Sequence, residues 1–131
     1  MLKTTALALA LLTPVVVVLP ACLDFGTACT EEARASVQVT LVDDIGNFPN
    51  GVSVTMQQEG GDEQPCSDFG TGGEVVCGYE LEGEITVRAT APGYGPAEET
   101  VLVGRTEDGC HVATEQVTLV LPAYDGLVNA R

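Results

Sequence analysis

The sequence predicts an all-β protein, a seven-stranded antiparallel β-sandwich stapled by two disulfides, and three observations carry that reading. Apolar and polar residues alternate with period two in short runs, Gly and Pro interrupt those runs roughly every ten residues, and the cysteines suit an oxidising compartment. No amphipathic helix of useful length is visible. Of 131 residues, those before Cys22 read as removable. The remainder, roughly 110 residues, suffices for one domain with a modest core.

Residues 1–21 read as a lipoprotein signal peptide. Lys3 supplies a positive start, residues 6–19 form an apolar stretch broken by Pro14 and too short to be a convincing membrane span, and small Ala21 precedes Cys22. Leu19-Pro20-Ala21-Cys22 resembles the lipobox of bacterial lipoproteins, whose cysteine becomes the first mature residue and carries diacylglycerol and palmitate-type acyl chains. The resemblance implies lipidation at Cys22 and attachment to a membrane of the cell envelope. With Leu23 rather than Asp after the cysteine, it implies the outer membrane, with the domain facing the periplasm or the exterior. The alternative is cleavage after Gly26-Thr27-Ala28, which would yield a soluble secreted protein.

Once Cys22 is acylated, Cys29, Cys66, Cys77 and Cys110 remain, an even number that predicts two disulfides. Gly70-Thr71-Gly72-Gly73 is a turn signal. A hairpin centred between Thr71 and Gly72 pairs Asp68 with Val75, Ser67 with Val76 and Cys66 with Cys77, within the separation that a disulfide tolerates. By elimination Cys29 joins Cys110, closing a loop of roughly 80 residues worth about 4 kcal/mol if unstrained. A four-thiolate zinc site would call for CxxC pairs, and the chain has none.

The mature chain divides into a lipid-anchored tether at 22–34, the sandwich at 35–121 and a tail at 122–131. In the sandwich, Val37, Val39 and Leu41 face one way and Ser36, Gln38 and Thr40 the other; Val52, Val54 and Met56 then alternate with Ser53, Thr55 and Gln57. Residues 43–51 connect these strands, and residues 59–64 read as a mobile acidic loop ahead of the hairpin. Ile85, Val87 and Ala89 form the next strand, the run Pro92-Gly93-Tyr94-Gly95-Pro96 turns the chain, and residues 100–103 and 117–121 complete the set. Two sheets of such strands must bury their apolar faces against each other.

Three stretches give this pattern a family likeness. Asp43 and Gly46 followed by Gly51-Val52-Ser53-Val54, then Glu82-Gly83-Glu84-Ile85-Thr86-Val87, then Ala91-Pro92-Gly93-Tyr94 together resemble the carboxypeptidase regulatory-like domain. The resemblance spans roughly residues 35–121 and implies a transthyretin-like (prealbumin-like), immunoglobulin-like sandwich. Such domains are typically non-catalytic, so it also implies an accessory binding or scaffolding role, an analogy from fold alone.

The functional groups agree with that expectation. Nineteen Asp and Glu against five Lys and Arg give a formal net charge of −14, a surface that repels phosphate backbones and excludes nucleic acid as a partner. His111 is the only histidine, and beside Cys110 it reads as a structural residue near a disulfide rather than a catalytic base, so no catalytic residue and no enzymatic activity are assigned. Carboxylates are the abundant alternative. Asp62, Glu63 and Asp68 are the candidate Ca2+ ligands, although solvated turns account for the same residues and no cofactor is required. Tyr94, between two glycines, reads as a corner residue packed on the core, with sugar stacking as its sharper alternative. The reading is therefore a non-enzymatic envelope lipoprotein whose partner is an envelope protein or a glycan. The alternatives are a calcium- or carbohydrate-binding module and a secreted, disulfide-rich inhibitor.

Overall fold

A computed structural model of the protein describes residues 28–68 and 72–124, with only the backbone at Asp68. The predicted signal segment, the candidate lipidation residue Cys22 and residues 23–27 of the predicted tether lie outside them, as do the centre of the predicted hairpin turn and residues 125–131 of the predicted tail. Among the described residues eight strand segments form: β1 (Ala35–Asp43), β2 (Ser53–Gln58), β3 (Glu63–Pro65), β4 (Ser67–Asp68), β5 (Glu74–Tyr79), β6 (Gly83–Thr90), β7 (Ala97–Val103) and β8 (Glu115–Leu121). β3 and β4 are one strand that changes sheet at Cys66, which makes seven strands as predicted.

The two sheets have the orders β4-β5-β1-β8 and β3-β2-β6-β7. Their facing sides carry the predicted aliphatic sets. Val37, Val39 and Leu41 of β1 meet Val54 and Met56 of β2, Ile85, Val87 and Ala89 of β6, and Val117, Leu119 and Leu121 of β8 in one buried cluster. Each fully buried aliphatic side chain contributes roughly 1.5–3 kcal/mol, so period-two alternation leaves little choice of which face turns inward.

The hairpin register is the predicted one, with Ser67 opposite Val76 and Asp68 opposite Val75. Cys66 is bonded to Cys77 across it. The Cys66 amide donates to Val54 O of β2 at 2.9 Å, so this residue is pinned to one sheet by its backbone and to the other by its sulfur.

Three features depart from the pattern-based expectation. β1 and β8 pair in parallel over Val37–Asp43, while the other strand pairs are antiparallel. Parallel neighbours need a long connection, and here the chain visits both sheets between them. Residues 59–64 are not one long loop: Gly60 (φ 73°) allows a tight turn in which Gly61 N donates to Gln58 O at 2.8 Å, and Glu63 already pairs with Gln57. Ser36, expected on a solvated face, is fully buried because residues 79–82 fold over it, its Oγ accepting from Leu81 N at 2.8 Å.

Antiparallel pairing and the sheet change at Cys66 fix the strand directions. β1, β3, β4, β6 and β8 run one way, and β2, β5 and β7 run back. The start of β1 therefore shares one pole with turns 59–62 and 80–82 and loop 104–114, whereas loop 44–52, corner 91–96 and residues 122–124 share the other.

Candidate functional site

The densest polar constellation lies at the pole where β1 begins, and it is built around Glu80. β5 ends in a sharp bend made by Gly78 (φ 72°) and Glu80 (φ 53°), the latter the one non-glycine residue at positive φ among the described residues. That conformation costs about 1–2 kcal/mol for a residue with a side chain. Here it aims the carboxylate at three donors. Oε1 accepts from Arg34 N and from His111 Nδ1, both at 2.8 Å, and Oε2 accepts from Val112 N at 3.2 Å. The Glu80 amide returns a bond to Arg34 O at 2.9 Å.

His111 is buried at 8% exposure, and its Nε2 meets Thr30 Oγ1 at 3.0 Å. Beside it the Cys29–Cys110 disulfide closes, also as predicted. The loop carrying Cys110 is shaped by its own side chains. Thr106 Oγ1 donates to Asp108 Oδ1 at 2.6 Å, and the same carboxylate accepts from Cys110 N at 3.1 Å. Those bonds hold the Asp108 carboxyl below its usual range, the Thr106 hydroxyl contributing most. Arg105 forms an exposed ion pair with Glu82 at 2.7 Å.

Glu80 is held below the ordinary carboxylate value of 4.5, first by the Arg34 amide and then by His111. The ionised carboxylate favours the imidazole tautomer with a proton on Nδ1, leaving Nε2 free to accept from the Thr30 hydroxyl. Hydroxyl, imidazole and carboxylate thus stand in the order used by general-base relays. A hydrolase would add unengaged donors facing a developing oxyanion. The neighbouring amides are already committed: Gly109 N to Thr106 O, Cys110 N to Asp108, His111 N to Thr106 Oγ1, and Val112 N to Glu80. The arrangement also fastens residues 29–34 to the body of the sandwich.

Because the Glu80 carboxyl is depressed, its stabilising contribution is present above pH 4.5 and is lost as the pH falls through the lower, folded value. Glu80→Gln is therefore expected to lower stability at neutral pH and to flatten the decline of stability below pH 4.5. Urea unfolding from pH 3 to 7 reads both effects, and parallel wild-type and variant curves would refute the assignment.

The other candidate residues take separate places. Asp62 lies in the β2–β3 turn and Glu63 opens β3 in one sheet, while Asp68 belongs to β4 in the other. Among the described residues, no group of three or more His, Cys, Asp or Glu converges to hold a metal ion. Tyr94 packs against the core at the far pole, its hydroxyl donating to Asp43 Oδ2 at 3.4 Å. Burial pushes that hydroxyl's pKa up, and Asp43 adds to the effect. Asp43 itself organises the Asp-x-x-Gly turn, Oδ1 accepting from Ile45 N at 3.0 Å and Asn47 N at 2.7 Å while Gly46 adopts φ 85°.

Sequence reasoning singled out His111 but not Glu80 or Thr30. Their partners are 31 and 81 residues away in the chain, so no local spacing marks them. The one local signal was Glu80 two residues after Gly78, within a run of similar acids. No protein-family model matches the chain, and no curated protein matches it in sequence.

Proposed function

We propose that the chain is a non-catalytic, envelope-anchored lipoprotein module that binds or positions another envelope component, held to the outer membrane through a lipid on Cys22. One observation carries the reading. The single histidine and its carboxylate are spent on fastening the stretch of chain that follows the candidate lipidation cysteine, and the amides around them face internal acceptors. Two disulfides support an oxidising compartment, and the resemblance to carboxypeptidase regulatory-like domains supports an accessory role.

The test is made on protein recovered from the producing cell. Intact mass should show a mature chain beginning at Cys22 with a diacylglycerol-type adduct, and the protein should partition into detergent. No turnover is expected on ester, peptide or glycan panels. Turnover abolished by Thr30→Val or His111→Ala would overturn the non-catalytic reading. A mature chain beginning near Cys29 without lipid would revive the secreted alternative.

A further inference from the structure

The fastening at the first pole has a geometric consequence for a chain attached to a membrane through Cys22. We infer that the pole carrying turn 80–82 and loop 104–114 faces the lipid surface, and that loop 44–52, corner 91–96 and residues 122–124 form the end presented to the compartment; this rests on the lipoprotein reading above. The Cys29–Cys110 bond seats the entering chain on loop 104–114, and Thr30–His111 and Arg34–Glu80 hold the next residues against the same pole. The domain is therefore held from Cys29, seven residues after Cys22, instead of from the start of β1 at Ala35. Whatever its conformation, a stretch of seven residues reaches at most about 25 Å, against about 45 Å for thirteen. The strands between the poles have up to 9 residues, giving a pole-to-pole length of about 30 Å. With the clamp closed the far pole, about 30 Å away, stands beyond the longest reach of seven residues. Its loops are held together by bonds internal to that end: Tyr94 hydroxyl to Asp43, Tyr124 N to Gly93 O at 2.9 Å and Gly95 N to Pro122 O at 2.8 Å.

The chain contains no tryptophan, so one introduced indole reports one place. Ile45 at the far pole is 78% exposed, and Glu107 at the near pole is also exposed, so Ile45→Trp and Glu107→Trp leave the core untouched. Each lipidated variant is reconstituted in phosphatidylcholine vesicles containing a headgroup-labelled quencher lipid, with circular dichroism and non-reduced mass confirming fold and disulfides. Glu107→Trp should lose most of its emission and Ile45→Trp should keep most of its own. Equal quenching, or the reverse order, overturns the inference. Protein made without lipid and coupled through the Cys22 thiol to maleimide-bearing vesicles should give the same order. Absence of a native adduct on Cys22 would thus sink the lipoprotein reading, and the coupled sample would still judge the orientation. Adding Cys29→Ser and Cys110→Ser should narrow the difference between the two positions. An unchanged difference would remove the clamp from the explanation and leave the entry point of β1 as its cause.

Discussion

Replacing Cys29 and Cys110 together by serine should lower the unfolding free energy by about 4 kcal/mol, because the bond closes a loop of 81-residue sequence separation and removes that freedom from the unfolded chain. Domains of this size hold only about 5–15 kcal/mol in total, so the variant should remain folded but melt on the order of 20 °C lower. Serine suits both positions, since Cys29 is exposed and Cys110 is half-buried, and the substitution leaves no core cavity. Urea titration measures the change. Native-state hydrogen exchange should also show faster exchange at the Arg34 and Val112 amides, which donate to Glu80. A loss below about 1 kcal/mol would mean that Glu80 and His111 hold the segment without the disulfide.

Gly78→Val is the second large effect, expected at about 3 kcal/mol. Gly78 has φ 72°, a conformation that costs an L-residue about 1–2 kcal/mol and a β-branched one more. A Cβ there would lie 2.8 Å from Leu81 Cδ1 and 3.1 Å from Met56 Sδ. Both neighbours are ends of flexible side chains and can yield, so the steric part adds about 1–2 kcal/mol and not more. The damage reaches the site, because the bend at Gly78 carries Glu80 toward Arg34 and His111. Thermal melting of Gly78→Ala and Gly78→Val should show graded losses, valine the larger. Equal and small losses would show that the bend is not needed to place Glu80.

The sequence carried the strands and the disulfides to an unusual depth for reasons visible in single segments. β1 and β6 place aliphatic residues at every second position, Val37, Val39 and Leu41 in one and Ile85, Val87 and Ala89 in the other, so burial and pairing agree on the register. The Cys66–Cys77 bridge was legible because a turn signal centred between the two cysteines sets their register, and the other pair followed from it. Residues 59–64 were harder. Acidic, glycine-containing stretches read as solvated loops, and only pairing with β2 makes a strand of Glu63–Pro65. Ser36 was placed correctly on the outward side of β1, but its burial depends on a turn 45 residues later folding across it.

By itself the sequence determined which aliphatic side chains turn inward and which sulfurs meet, because those follow from period two, from the register set by one turn signal and from elimination. It also supplied the acidic composition, and the proposed anchor at Cys22 rests on it alone. Only the tertiary structure decided that β1 and β8 run in parallel, that Glu80, His111 and Thr30 come together, and that the entering segment is fastened to one pole. Each of those depends on groups far apart in the chain, brought within hydrogen-bond reach by the packing of two sheets, and local pattern carries no information about such meetings.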